Sequence, residues 1–241
     1  MFKLIEINID KKLSFTSMFF MYITILLIYV LAIYNASFEL SDFKTLDQNY
    51  IILENYILET FQLIELIGII FIIILIELEL VYNTDNFDSY FIVLKGKKNV
   101  FVSKIIGYLI ILIFYNTLIF MGVLIIYFIR FKSVKLLSFI INSYFIYLIY
   151  FTMFLFITYL FMLFFKNYFI AIVIFIYYWL CRIIETENKF FNILCPKIEV
   201  DLFNNNNISF SINIYYIIIY ILILIMFCGK LYEVKDLKIN S

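Results

Sequence analysis

The stretch "ELELVYNTDNFDSYFIVLKGKKNVFVSK", Glu77 to Lys104, decides how the rest of the chain is read. Long apolar runs flank it on both sides. Within it the acids come first (Glu77, Glu79, Asp85, Asp88), and four lysines follow (Lys95, Lys97, Lys98, Lys104). Phe87, Tyr90, Phe91, Leu94, Lys98 and Phe101 fall at helical spacing, with one lysine stem filling a place on the apolar face. Asp85 and Asp88 repeat the i, i+3 logic of a capping box, and Thr84 is an alternative cap. Acids at the start and lysines at the end suit the helix dipole, at about 0.3–1 kcal/mol each. The spacing therefore predicts an amphipathic helix on a membrane surface. Its lysines rest on anionic headgroups, or the helix docks a soluble partner; composition leaves both open.

The flanks explain why a membrane is invoked. The chain has 241 residues, 66% of them hydrophobic and only 15% charged, against about 45–50% apolar and about 25% charged in soluble domains. This is too apolar for a soluble domain and too long for one anchor. Six runs approach the length of about 20 mostly apolar residues that a spanning helix needs: 14–36, 61–81, 105–129, 137–164, 167–184 and 211–229. "IGIIFIIILI" and "IYYIIIYILILIMF" are apolar all round, unlike the alternating strands of a membrane barrel. The expected fold is all-α: one transmembrane domain over 1–241 with six spans and the amphipathic helix between spans two and three. Phe2, Ile5, Ile9 and Leu13 share a further helical face, which predicts a short interfacial helix before the first span. That first run is longer than a signal-peptide core, so it is read as a span and not as a cleavable leader.

Basic residues orient the spans. With both termini in the cytoplasm, Lys3, Lys11, Lys12, Lys95, Lys97, Lys98, Lys104, Lys166, Lys230, Lys235 and Lys238 lie inside. Lys44, Arg130, Lys132, Lys135, Arg182, Lys189 and Lys197 lie outside. The first outer loop, "SFELSDFKTLDQNYIILENYILET", is acidic and agrees with this orientation; "RFKSVK" (130–135) runs against it.

Chemistry is sparse. Formal net charge is zero, which removes any global field for nucleic acid. The chain has no histidine, which excludes His-based triads, HExxH zinc sites and histidine relays. Cys181, Cys195 and Cys228 form no CxxC; Cys181 and Cys195 either pair or are ordinary thiols. The five glycines include no GxxxxGK[ST], so the chain lacks the loop that cradles nucleotide phosphates. No catalytic constellation and no metal site are expected, and the chain reads as non-enzymatic. Within the spans, Glu65 either lines a pathway, pairs with Arg182, or sits at the headgroup boundary. Asn116 faces a cavity or bonds a neighbouring helix, while Thr152 and Thr158 can satisfy themselves on their own helix backbone. Asn207-Ile208-Ser209 matches a glycosylation sequon, a short pattern that arises often by chance.

The layout resembles ABC-2-type permeases, the membrane halves of many bacterial ATP-driven exporters. In that family an acid ends the second span; Glu79 stands there. "NTDNFDSYFIVL" matches the coupling segment, with Thr84, Asp85, Asn86, Phe87, Asp88, Tyr90 and Phe91 within it. Lys97 and Lys98 match the basic patch, and Lys104 in "SKIIGYLIILI" matches the lysine that opens span three. The family's usual Gly-Thr or Gly-Ser after the acid and Pro before the basic patch are replaced by Asn83-Thr84 and Gly96. The resemblance implies that the coupling helix sits in a groove on a separate ABC ATPase, which would carry ATP and Mg. It also implies a second permease half, as homodimer or heterodimer, and a multi-pass location in a bacterial cell membrane. It further implies that the outer loop of about 185–210, with Phe190, Phe191, Ile193 and Leu194, dips back into the bilayer. The cargo class would be an amphipathic peptide, a drug-like compound or a lipid. A non-transporting sensor or immunity protein and an ion-coupled carrier are the alternatives, the last requiring an essential intramembrane acid.

Overall fold

The structure is a computed structural model that describes residues 2–12, 15–37, 46–82, 91–131, 134–165, 169–183 and 214–234. All the regular structure among them is helical: α1 (Phe2–Lys12), α2 (Phe15–Ser37), α3 (Leu46–Tyr82), α4 (Lys97–Phe131), α5 (Val134–Phe164), α6 (Phe169–Ile183) and α7 (Ile214–Val234). Residues 91–95 add a short turn of helix before α4. In an apolar solvent each backbone N–H and C=O must be satisfied within its own segment, which selects helices for runs this rich in Ile and Phe.

Five helices contain segments long and apolar enough to cross a membrane: Met18–Ser37, Glu59–Glu77, Lys97–Ile129, Ile140–Phe164 and Ile217–Val234. The chain is thus a membrane-embedded helical bundle. The expected fifth span, 167–184, is not among these five. Its helix α6 has 15 residues, a rise of about 22 Å at 1.5 Å per residue, shorter than a hydrocarbon core of about 30 Å. The other helices overrun the predicted spans. α3 starts at Leu46, inside the expected outer loop, and α7 runs on to Val234, past Gly229. Between Leu46 and Ile67 there is neither Gly nor Pro to stop the helix.

Packing follows the stripes. In α2, Met21, Ile25, Ile28, Ala32 and Ala36 are buried at steps of 4, 3, 4 and 4, while Tyr22, Leu26, Val30 and Ile33 point outward, as lipid contact requires. In α7 the buried stripe is Ile217, Leu224, Cys228 and Tyr232. α5 is the hub, packed by α3, α4, α6 and α7. From Met153 to Tyr159 every side chain of it is buried. Gly68 lets α3 close on α5, because a Cβ there would overlap the Phe151 ring. Gly122 does the same for α4 against Tyr29 of α2.

The two ends of the bundle differ. At one, the near end, the Asn8 amide of α1 donates to Ser103 Oγ of α4 at 2.9 Å, and Lys97 Nζ donates to the Glu233 carbonyl of α7 at 2.9 Å. The Ala171 amide, in the first turn of α6, donates to the Glu77 carboxylate of α3. At the far end, Asn35 Nδ2 donates to Thr60 Oγ1 at 2.9 Å, and Thr60 Oγ1 shares a hydrogen bond with Tyr127 OH at 2.9 Å. That chain ties α2, α3 and α4. The N-terminal helix, the start of α4 and the end of α7 therefore share one side.

Candidate functional site

The near end carries the stretch from which the sequence was read. Residues 91–95 end in a turn at Gly96, whose φ is 82°. The Gly96 amide donates to the Ile92 carbonyl at 2.8 Å, the left-handed C-cap that glycine adopts without steric cost. The predicted single face from Phe87 to Phe101 is therefore broken. Phe91 and Leu94 precede the turn, whereas Lys98 and Phe101 belong to α4. Phe91 and Ile92 pack on the core, and Val93 and Leu94 are 77% and 55% exposed, beside exposed Lys95 and Lys98. An apolar pair edged by lysines stands out at the rim.

The expected coupling residues separate into three groups. Thr84, Asp85, Asn86, Phe87, Asp88 and Tyr90 lie outside the described residues, as does the side chain of Glu79, whose backbone belongs to α3. Phe91, Lys97 and Lys98 are at the near end, and Lys97 caps α7 as given above. Lys104 stands apart from them. It lies two turns inside α4 and is 3% exposed, with its Nζ 5.8 Å from the centre of the Tyr232 ring. Its charge is turned into the bundle against an aromatic face. Tyr232 also packs on Phe101 at 5.5 Å, and Phe101 on Tyr159 at 6.1 Å, so aromatic rings wall the near end of α4, α5 and α7.

The interior polar residues are structural glue. Glu65 is 1% exposed and accepts a hydrogen bond from Tyr150 OH at 2.9 Å. It faces α5 inside the protein. The Arg182 side chain, Cys195, the 185–210 loop and the sequon lie outside the described residues. Asn116 Nδ2 donates to the Tyr144 carbonyl of α5 at 3.2 Å, the helix-to-helix bond expected as one reading. Thr152 and Thr158 donate to Leu148 and Phe154 of their own helix, each at 2.7 Å, as expected. Among the described residues no group of His, Cys, Asp and Glu is arranged to hold a metal.

Sequence reasoning missed two features. One is Glu77: one oxygen takes the α6 amide, while Oε1 has no hydrogen-bond partner among the described residues. A carboxylate there favours a helix N-terminus, whose amides and dipole attract negative charge. The other is a far-end cleft of about 430 Å³, lined by Leu31, Glu59, Gln62, Leu63, Leu66, Tyr178 and Trp179. Glu59, Gln62, Leu63 and Leu66 recur at 3, 1 and 3, one face of α3, and Trp179 is the only tryptophan. Those signals were present, but nothing in the sequence joined them to α2 and α6.

Comparison with family models, with curated proteins and with solved structures finds no match.

Proposed function

We propose that this chain is the membrane half of an ATP-driven exporter of the ABC-2 permease type, non-catalytic itself and worked by a separate ATPase. The observation that carries the reading is the near-end platform. The described residues 91–96 lead into the lysine-bearing start of α4, a helix that packs on α1 and bonds the end of α7. They offer Val93 and Leu94 rimmed by Lys95 and Lys98. A surface with an apolar centre and a charged rim has the anatomy of a protein interface. Phe91 and Ile92 anchor it on the core, and α4 behind it is bonded to α1 and α7, so a push on it would reach the interior.

Six crossings fit this reading. α5 finishes at the near end, where Tyr159 meets Phe101, and α7 also finishes there, beside Lys97. The chain between them must return to the far end. α6 starts at Glu77 and brings Tyr178 and Trp179 to the cleft. With the platform in the cytoplasm, both termini are cytoplasmic and the protein sits in a bacterial cell membrane. A second half, identical or paralogous, completes the transporter, and the cargo is an amphipathic peptide, drug-like compound or lipid.

The test is uncoupling. Phe87→Ala with Asp88→Ala should leave membrane insertion and ATP hydrolysis in the complex intact while export is lost. Loss of insertion would assign the segment to folding. Purification at native expression that brings down no ATP-binding subunit would overturn the reading.

A further inference from the structure

The far-end cleft is built differently from the rest of the surface. Most exposed side chains on the spans are aliphatic or aromatic, as lipid contact demands. Here one carboxylate, Glu59, and one amide, Gln62, stand in a concave wall otherwise made by Leu31, Leu63, Leu66, Tyr178 and Trp179. The volume of about 430 Å³ lies in the range of about 300–1,000 Å³ usual for small-molecule sites. The Asn35–Thr60–Tyr127 hydrogen-bond chain clamps α2, α3 and α4 beside Glu59.

Charge selects the ligand. Glu59 is the one acid among the residues that line the cleft, and beside their apolar side chains it acts through a lower dielectric than water, so its attraction is focused into the cleft. Trp179, half exposed, offers its ring, with buried Tyr178 packed beside it, and tryptophan is the strongest aromatic partner of an organic cation. Leu31, Leu63 and Leu66 cover an apolar body.

We propose that this cleft binds amphipathic organic monocations, a cationic head on an aromatic or alkyl body, with Glu59 as the charge partner and Trp179 as the ring contact. Where the chain is the exporter half proposed above, this names the class of its cargo and rests on that reading. Binding itself needs no ATPase.

The single tryptophan makes the test direct, because all tryptophan emission comes from the cleft. The full chain in zwitterionic-lipid nanodiscs is titrated with tetraphenylphosphonium and, separately, with the near-isosteric anion tetraphenylborate. Tetraphenylphosphonium should change Trp179 emission saturably. Glu59→Gln should weaken it by up to about fivefold, the upper end for a partly solvated charge pair. Glu59→Asp should retain binding, and Glu6→Gln, an exposed acid at the near end, should change nothing. Equal response to both ions, or a Glu59→Gln titration matching the parent at unchanged helicity, would overturn the proposal and leave the exporter reading standing. A saturable, Glu59-dependent response in a chain that captures no ATPase would keep the site and remove the exporter reading.

Discussion

Removing the Tyr150 hydroxyl tests the interior most directly. Tyr150 donates to Glu65 at 2.9 Å, and both side chains are fully buried between α5 and α3. Tyr150→Phe keeps the ring and its packing on Phe154 at 4.9 Å, so only the hydrogen bond is lost. Two magnitudes compete. A hydrogen bond to a charged or buried carboxyl is worth about 1.5–3 kcal/mol in soluble proteins. Between membrane helices double-mutant cycles average only about 0.6 and reach about 1.7 kcal/mol, because the separated helices also find partners. Full burial of Glu65 puts this pair at the upper membrane value, so Tyr150→Phe should cost about 1–2 kcal/mol. In a Glu65→Leu background the same change should cost less than about 0.5 kcal/mol, since nothing is left to receive the bond. The assay is reversible unfolding of the four variants in mixed micelles, followed by helicity. Equal costs of Tyr150→Phe in both backgrounds would refute the contact.

The remaining expectations concern the same helices. Gly68→Ala should destabilise by about 1–3 kcal/mol, the range for overpacking, and Phe151→Leu should recover part of it in the same unfolding assay. Gly96→Ala meets no neighbour within 4 Å but keeps φ at 82°, so it should cost about 1 kcal/mol of backbone strain, with Gly96→Asn milder. Glu65→Gln retains an acceptor for Tyr150 and should leave reconstituted ATP-driven transport within about twofold. A large loss would restore the ion-coupled carrier, which requires an essential intramembrane acid.

How much was legible in advance differs from residue to residue. Thr152 and Thr158 needed only the i−4 carbonyl of their own helix, a geometry that any helix supplies, and the structure agrees. Asn116 had two open readings, and its amide reaches the Tyr144 carbonyl of the neighbouring helix. Lys104 and Glu65 could not be placed, because a charge in a span is buried or wet according to which face its helix turns inward. The break at Gly96 was visible as a glycine, but its left-handed φ was not.

Sequence alone determined that this chain lives in a bilayer as helices, because apolar run length and backbone hydrogen bonding are local properties. It also marked the charge-sorted break at Glu77–Lys104, since charge cannot follow the chain into lipid cheaply. Only the tertiary structure decided the rest. α3 extends past its hydrophobic boundary to Leu46, where no Gly or Pro stops it. Lys104 finds Tyr232 and Glu65 finds Tyr150 across separations of 128 and 85 residues. The cleft joins Leu31, Glu59 and Trp179 from three helices. Contacts of that kind depend on how helices are rotated and paired, and no local pattern along one chain encodes that rotation.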